Sequence, residues 1–208
     1  MNQEKVWDFI AESWDEYRQK PIKQVEEFLK RKKGKKILDL GCGSGRNFIS
    51  GMSWYGVDFS KEMVRLARKK GYVKVIKSEA YKLDFPDNYF DYALYIATLH
   101  CINSGELREK SLAELKRVLK PRGKALISVW DKNSEKFAGK GKIAYLSWGE
   151  RKGNKKVKRY YYLYDKAEFL RLLRKYFKIV KVWSKKDYKE QSSRRFAKRN
   201  LVVEVKKV

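Results

Sequence analysis

The chain has 208 residues, 43% of them hydrophobic and 14% aromatic, a composition typical of one folded globular domain. The longest unbroken apolar run covers residues 92–97, far short of the ~18 residues of a membrane span, and the polar residues 1–5 argue against a signal peptide. Two cysteines and one histidine argue against a disulfide framework and a histidine-rich metal site, so we expect a cytoplasmic protein without a metal.

Net charge is the most unusual property of the chain. Lys and Arg number 51 against 25 Asp and Glu, a formal net charge of +26 at pH 7. An excess of this size favours polyanionic partners, above all nucleic acid, and the alternative is a lysine-rich solvated surface. The cations are concentrated in residues 30–36, in residues 151–159 and in a scattered third group: Lys181, Lys185, Lys186, Lys189, Arg194, Arg195, Lys198 and Arg199. The sequence leaves open whether the three groups share one face.

Two helices are predicted within residues 1–35. Apolar side chains recur at helical spacing over residues 6–17, and Pro21 opens a second helix over residues 22–30. Residues 36–130 then alternate strands at 36–40, 54–58, 72–77, 89–96 and 124–130 with helices at 61–70 and 104–120. This alternation predicts an α/β fold with a parallel, doubly wound sheet.

The last third of the chain loses this alternation. Residues 131–160 form a basic insertion without a clear period, which is typical of a lid, a binding insertion or a mobile loop. Residues 161–208 form a substrate-side half, with a helix that Asp165 caps and two strands at 178–183 and 200–205. These strands are close enough in sequence to pair antiparallel at the sheet edge. We therefore treat residues 1–208 as a single domain.

A glycine-rich turn follows the first predicted strand. Gly41, Gly43 and Gly45 stand where a doubly wound sheet binds nucleotide-like ligands, and glycine lets a ligand approach the backbone closely. Arg46 occupies the sixth position of the turn, and no Lys-Ser/Thr pair follows it. The turn therefore departs from the dinucleotide fingerprint and the P-loop, and its spacing suits a ligand without a pyrophosphate.

Two acids follow the next strands. Asp58 ends the second strand, where a carboxylate can chelate a ribose diol. Glu79 follows the third strand, where an acid can accept a hydrogen bond from an adenine amino group. Taken singly, the glycine turn could equally be a turn without a ligand, and each acid could equally be a residue that caps the end of a strand. Together and in this order they predict a nucleoside-binding cleft.

These features resemble the class I S-adenosylmethionine-dependent methyltransferases. The five motifs of that family are similar, in order, to residues 37–45, 56–60, 78–86, 90–100 and 115–124, with Glu79 in place of the usual Asp. The resemblance covers residues 36–130 and implies an α/β, Rossmann-like, doubly wound, mostly parallel seven-stranded sheet with an antiparallel edge strand. One departure is the short stretch 45–54, which leaves room for only a stub of the usual first helix.

The resemblance implies S-adenosyl-L-methionine as the cofactor, with S-adenosyl-L-homocysteine as its product and no metal. It places nine residues at the cofactor: Asp39, Gly41, Cys42, Gly43, Asp58, Phe59, Glu79, Ala80 and Ile96. We interpret Cys42 as a small packing residue of the turn rather than as a nucleophile.

The segments outside these motifs resemble a narrower family. Residues 17–21, 159–164 and 198–203 are similar to tRNA methyltransferases that esterify 5-carboxymethyl-uridine at the wobble position, including the methyltransferase domain of the animal AlkB-type tRNA enzyme. Leu201 follows Asn200 where that family carries an Asn-Trp pair, and Cys101 stands where relatives commonly carry a second histidine. The resemblance implies a tRNA anticodon loop as partner, bound through a basic surface and without a membrane, and leaves open a small activating protein subunit. It implies catalytic roles for His100, Arg18 and Arg199, and substrate binding by Tyr17, Lys20, Tyr160 and Asn200.

The chemistry of such a transfer indicates what these residues have to do. A sulfonium methyl is already a strong electrophile, and a carboxylate acceptor is ionised at neutral pH, so alignment and a cation are needed but no general base. Arg18 and Arg199 are the candidate cations, and for Arg199 a phosphate contact or a solvated charge is the alternative. His100 is either a donor in the pocket or a structural hydrogen-bonding residue. Tyr160 is a further pocket donor, and the tyrosines of 160–164 either stack on anticodon bases or form a strand with alternating burial.

Three functions follow from these patterns. The first is a tRNA methyltransferase acting on a wobble-uridine carboxymethyl group. The second is a small-molecule methyltransferase of the same fold, whose charge reflects only surface chemistry. The third is an RNA-binding subunit that needs a partner, against which the intact glycine turn and Asp58 argue, because a pure binder needs neither.

Overall fold

The computed structural model describes residues 2–149, 156–184, 187 and 199–208. Within these residues the α-helices are α1 (Gln3–Glu16), α2 (Lys23–Leu29), α3 (Lys61–Ala67), α4 (Gly105–Val118) and α5 (Lys166–Arg174). The strands in the same residues are β1 (Lys36–Leu40), β2 (Ser53–Asp58), β3 (Lys74–Lys77), β4 (Phe90–Ile96), β5 (Leu119–Trp130), β6 (Ile143–Gly149), β7 (Lys156–Tyr162), β8 (Lys178–Val182) and β9 (Asn200–Lys206).

Seven of these described strands form one sheet, in the order β3-β2-β1-β4-β5-β9-β8. Strands β1 to β5 are parallel, and β9 runs antiparallel to both of its neighbours, β5 and β8. The prediction of a mostly parallel, doubly wound sheet with a terminal antiparallel pair is confirmed. Because β1 lies in the middle with β2 on one side and β4 on the other, the turn after β1 opens at a switch point of the sheet, where such folds bind ligands.

Both faces of the sheet are covered, as a parallel sheet requires. On one face Leu38 and Ala93 belong to a cluster completed by Leu112 and Leu115 of α4 and by Phe169 of α5. On the other face α2 contributes Ile22, Val25 and Phe28, which pack with Ile37, Trp54 and Leu94. The buried runs in β1, β4 and β5 are therefore explained by contact on both sides. One boundary differs from the prediction, since α4 ends at Val118 and β5 already begins at Leu119, which pairs with Phe90.

The basic insertion is more ordered than the sequence predicted. Strands β6 and β7 form a separate antiparallel pair in which Tyr145 lies opposite Tyr160 and Ala144 opposite Tyr161. This pair packs against α1, where Val157 joins the cluster of Val6 and Ile10. The expectation of a long loop was therefore wrong for the described part of this segment, because the strands bury side chains against α1 that follow no clear period in the sequence. Residues 151–155 lie outside the described residues.

Among the described residues, the first basic group and Arg199 of the third group lie at opposite ends of the sheet. Residues 30–36 lead into β1 at the amino-terminal end of the parallel strands, whereas Arg199 precedes β9 at their carboxyl-terminal end, next to Trp130. Lys185, Lys186, Lys189, Arg194, Arg195 and Lys198 lie outside the described residues. Among the helices that are described, none has the length and apolar character needed to cross a bilayer.

Candidate active site

The glycine turn after β1 forms the floor of a cleft at the carboxyl ends of the parallel strands. Gly41 has a φ of 72° and Gly43 a φ of 55°, a left-handed backbone that favours glycine. A side chain at Gly41 would overlap Thr98, so the glycine is required by space as well as by conformation. The backbone N–H groups of Gly41 and Cys42 both donate to the carbonyl of Val57, at 2.7 and 3.0 Å, which fixes the turn against the end of β2.

Asp58 joins this turn to the next one. Its Oδ2 accepts from the N–H of Gly43 at 2.8 Å, and its Oδ1 accepts from the N–H of Ser60 at 3.0 Å. Burial raises the pKa of Asp58 to about 6, although both backbone hydrogen bonds act to lower it. Each carboxylate oxygen retains a lone pair for a ligand hydroxyl, so the geometry fits the predicted contact with a ribose.

Asp39 supports the turn from behind. Its side chain is buried, and its Oδ2 accepts a hydrogen bond from the hydroxyl of Tyr72 at 2.8 Å. Burial raises the pKa of Asp39 to about 7, with a further upward contribution from Asp58. The structure thus places Asp39 beneath the floor of the cleft rather than in its lining.

One half of the cleft, which we call the nucleoside cavity, has a volume of about 380 Å³. Asp58 and Glu79 stand in its wall with the apolar side chains of Ile102 and Leu107. Burial and the nearby Glu4 raise the pKa of Glu79. An acid for a ribose, a second acid and apolar walls suit an adenosine-like group. The predicted cofactor residues in this wall are Gly41, Asp58, Phe59, Glu79 and Ala80.

The other half, which we call the cation cavity, has a volume of about 370 Å³ and shares Gly41, Asp58 and Thr98 with the first. The two cavities therefore form one continuous cleft. The predicted residues in the wall of the cation cavity are Arg18, Gly41, Cys42, Gly43, Asp58, Phe59, Ile96, Arg199 and Asn200. The residues that sequence reasoning missed include Trp7, Trp14, Arg46, Trp130 and Lys136.

The cations of this cavity are close enough to perturb one another. Burial and the neighbouring Arg46 and Arg159 lower the pKa of Arg18 to about 10. Burial, followed by the charges of Arg199, Arg159 and Arg18, lowers the pKa of Lys136 to about 8. Like charges held this close are stabilised by an anion placed between them. The charge of the cavity therefore favours a negatively charged group.

Aromatic rings surround these cations. The guanidinium of Arg18 lies 3.6 Å from the ring centroid of Trp14, and the ammonium of Lys136 lies 4.4 Å from that of Trp130. Stacking fixes the direction of a long cationic side chain that is otherwise free to rotate. The one sequence signal for Lys136 was its place in the basic insertion, and nothing in the sequence connected Trp7 and Trp14 of α1 with the cleft.

His100 is not in the cleft wall, contrary to the catalytic role predicted for it. It lies in the 3₁₀ turn Leu99–Cys101 with a fully buried side chain, and its Nδ1 accepts a hydrogen bond from the backbone N–H of Trp130 at 2.9 Å. Burial lowers the pKa of His100 to about 3, so the imidazole is neutral. The neighbouring Cys101 lines the cleft instead. The structural alternative for His100 therefore fits the geometry.

The predicted substrate residues separate into two groups. Asn200 lines the cation cavity, whereas Tyr160 is only 6% exposed and Tyr161 only 1%, so neither offers a face for stacking on a base. The structure shows a strand, but without the alternating burial that was predicted, because Tyr160 and Tyr161 are both buried. Tyr17 is 52% exposed, and its ring contacts Trp148. The backbone carbonyl of Lys20 accepts a hydrogen bond from Arg46 of the cavity wall. Tyr17 and Lys20 therefore lie beside the cleft.

The site fits S-adenosylmethionine by the chemistry of its donors. The glycine turn provides a close backbone approach, Asp58 a carboxylate for a ribose and Glu79 a second acid in the wall of the nucleoside cavity. Across the described ranges, no three histidine, cysteine or acidic side chains are grouped so as to hold a metal ion. The strand order together with this cleft defines a doubly wound α/β protein with a nucleoside-sized site at the switch point of its sheet.

Comparison with known proteins agrees with this class. A family model described as a methyltransferase domain matches residues 38–127. The chain is 32% identical over 195 residues to the tRNA (carboxymethyluridine(34)-5-O)-methyltransferase of Schizosaccharomyces pombe, covering 81% of this chain and 85% of that protein. It is 34% identical over 134 residues to the Arabidopsis thaliana protein of the same name, covering 63% of this chain and 33% of that protein. The chain therefore belongs to the S-adenosylmethionine-dependent methyltransferase family that includes the tRNA carboxymethyluridine methyltransferases.

Solved structures show the same fold. One is a methyltransferase in complex with the Trm112 methyltransferase activator of Haloferax volcanii, with a TM-score of 0.70, 16% identity and 97% of each chain covered. Another is the 1,6-didemethyltoxoflavin-N1-methyltransferase of Burkholderia thailandensis with bound S-adenosylhomocysteine, with a TM-score of 0.68, 20% identity, and 99% of this chain and 87% of that chain covered.

The chain spans about a third or less of the length of the plant and vertebrate relatives it matches.

Proposed function

We propose that this chain methylates the carboxylate of a 5-carboxymethyl group on the wobble uridine of a tRNA, using S-adenosyl-L-methionine. The observation that carries the proposal is the convergence of Arg18, Lys136 and Arg199 on a recess that adjoins the nucleoside cavity. These side chains come from three distant parts of the sequence, so a general excess of lysine does not account for their meeting. The relatives named for carboxymethyluridine support the acceptor.

In this proposal the nucleoside cavity holds the cofactor. Asp58 accepts from the ribose and Glu79 stands at the adenine end, while the Gly41–Gly43 turn provides backbone in close approach. The bound cofactor supplies a methyl group on a positively charged sulfur, and its transfer to a carboxylate oxygen breaks the carbon–sulfur bond without moving a proton. No residue of the chain therefore has to act as a general base, which is consistent with the buried, neutral His100.

The cation cavity then holds and orients the acceptor carboxylate. A carboxylic acid ionises near pH 4, so the acceptor is an anion at neutral pH. The pKa values of Arg18 and Lys136 are lowered first by burial and then by neighbouring cations, and the negative charge of the acceptor offsets the second of these causes. Trp14 and Trp130 line the cavity beside these cations, and each has one ring face covered by the cation that stacks on it. Arg199 is exposed, so a contact to a flanking phosphate is a second use for its charge.

Two partners belong to this proposal. The first is the tRNA anticodon loop, drawn to the cleft by the positive charge of the chain. The second is a small activating protein subunit, since a structural neighbour is known in complex with a methyltransferase activator. Both cysteines are free, which is compatible with the cytoplasmic setting predicted from the sequence.

The test uses methyl-labelled S-adenosylmethionine, the purified protein and total RNA that lacks this modification. We expect label that ribonuclease releases and that mild alkali removes from the isolated nucleoside, because a methyl ester is alkali-labile. Label that resists ribonuclease would instead establish a small-molecule acceptor. If the protein binds RNA but transfers no label, and label appears when an activating subunit is added, the partner-dependent alternative is established.

Matched variants connect the activity with the cation cavity. Lys136→Gln should raise the KM for tRNA while the Kd for S-adenosylmethionine stays unchanged, and Lys136→Arg should restore much of the loss because it keeps the charge. Lys140→Gln is the control, since this exposed lysine lies in the same segment but does not line the cavity. Equal effects of the 136 and 140 substitutions would contradict the assignment of the acceptor site.

A further inference from the structure

A second basic surface lies at the opposite end of the sheet from the cleft. It is formed where the parallel strands begin, and we call it the basal rim. Its members, in order across the sheet, are Lys74, Lys33, Lys35, Arg122, Lys206 and Lys178. All are exposed except Lys206, which is half-buried.

The strand register places these cations in a row. Lys206 of β9 pairs with Lys178 of β8 on one side and with Lys124 of β5 on the other. Arg122 is fixed beside them, since its N–H donates to the carbonyl of Lys207 at 3.2 Å. Lys74 begins β3 at the other edge of the sheet. Seven strands at ~4.8 Å spacing make this row about 29 Å long.

The acids at this end are already engaged by other cations. Asp91 accepts from the ammonium of Lys120 at 2.8 Å and from the backbone N–H of Lys36 at 2.9 Å. Glu204 pairs with Lys124 at 2.8 Å. Within the part of the chain that the structure describes, no ion pair joins a member of the basal rim to a carboxylate. The row therefore carries an excess of positive charge. Only Lys35 is partly offset, by the nearby Asp91, and the remaining self-repulsion is relieved when a polyanion binds.

We propose that the basal rim binds the phosphate backbone of a helical part of the same RNA whose loop enters the cation cavity. The proposal rests on the proposed function for its choice of RNA. Tyr89 and Tyr92, which lie at this end, are half-buried beneath Lys36 and Lys32, so the described surface of the rim offers cations for phosphates rather than rings for unstacked bases. The contact is then independent of base sequence and depends strongly on salt.

The distance between the two surfaces decides which RNA can use both. Strand β4 runs from the basal end to the cleft over the seven residues Phe90–Ile96, which is about 20 Å. A short single-stranded RNA with the anticodon-loop sequence that occupies the cation cavity does not reach the rim, whereas a folded tRNA has helical arms that extend beyond the loop. The rim therefore adds affinity for the whole tRNA and none for the loop alone.

The test compares a triple variant, Lys35→Gln, Lys74→Gln and Arg122→Gln, with the unchanged protein. Binding of whole tRNA and of the short single-stranded RNA is measured against salt concentration, without S-adenosylmethionine. Each lost phosphate contact reduces the magnitude of the negative slope of log K against log salt by about 0.7–0.9. The slope of the variant for tRNA should therefore be smaller in magnitude by about 2–3. Its slope for the short RNA and its affinity for the cofactor should not change.

The control is a triple variant on exposed residues of α5, Lys166→Gln, Arg171→Gln and Arg174→Gln, which removes the same charge elsewhere. An unchanged tRNA slope in the rim variant, or an equal loss in the control, would overturn the proposal. Weaker binding to anionic lipid vesicles with unchanged tRNA binding would overturn it in favour of a membrane surface. The proposed function fails separately, by the absence of an alkali-labile methyl group in RNA, whatever the rim variant does.

Discussion

Replacing Asp39 by Asn should change how the stability of the protein depends on pH. Burial raises the pKa of Asp39 from 3.8 to about 7, so the folded state holds a proton that the unfolded chain releases between these values. The contribution of this group to stability is therefore fully present below about pH 4 and is lost as the pH rises to about 7. At about 1.4 kcal/mol per pH unit, the loss is about 4 kcal/mol.

The substitution Asp39→Asn removes this pH dependence but keeps an acceptor for the Tyr72 hydroxyl. Its amide leaves one buried polar group without a partner, since Oδ1 of Asp39 has none, but that cost is the same at every pH. The difference in unfolding free energy between variant and unchanged protein should therefore shift by about 3 kcal/mol in favour of the variant between pH 4.5 and pH 8.

Urea unfolding of the cofactor-free protein at the two pH values measures this shift, provided that the slopes of the unfolding transitions agree. Tyr72→Phe is a useful comparison, because it removes the hydrogen bond at 2.8 Å and should destabilise the protein most where Asp39 is ionised. A free-energy difference that is equal at pH 4.5 and pH 8 would refute the reasoning, since it would mean that Asp39 has the same pKa in both states.

Three further predictions concern the cleft. Asp58→Ala should weaken binding of S-adenosylmethionine by about 1–3 kcal/mol, as measured by calorimetry, and unchanged affinity would remove the ribose assignment. The affinity of the unchanged protein should also fall as the pH drops through about 6, where Asp58 takes up a proton, while Asp58→Ala should show little of this dependence. Arg199→Ala should lower methyl transfer to tRNA with cofactor affinity retained, and a joint loss of both would assign the residue to folding instead.

The order of strands and the cofactor half of the cleft could be predicted because their signals are local in sequence. The turn at Gly41 immediately follows a strand, and Asp58 immediately ends the next one. In a parallel sheet the carboxyl ends of neighbouring strands meet at one edge, so the sequence order of these residues was sufficient to bring them together. Their backbone hydrogen bonds then fix the geometry.

The residues of the cation cavity could not be predicted in the same way, because they meet through contacts between segments that are distant in sequence. Lys136, Trp14 and Arg18 meet because the β6–β7 pair packs on α1, and Val157 of that pair looked like part of a polar insertion. His100 follows β4 where the cleft was expected, but a 3₁₀ turn directs its ring into the core and onto the backbone of Trp130. The local sequence thus determined the cofactor-side elements, while the tertiary structure decided which cations face the acceptor, because burial and like-charge proximity arise only when separate elements pack together.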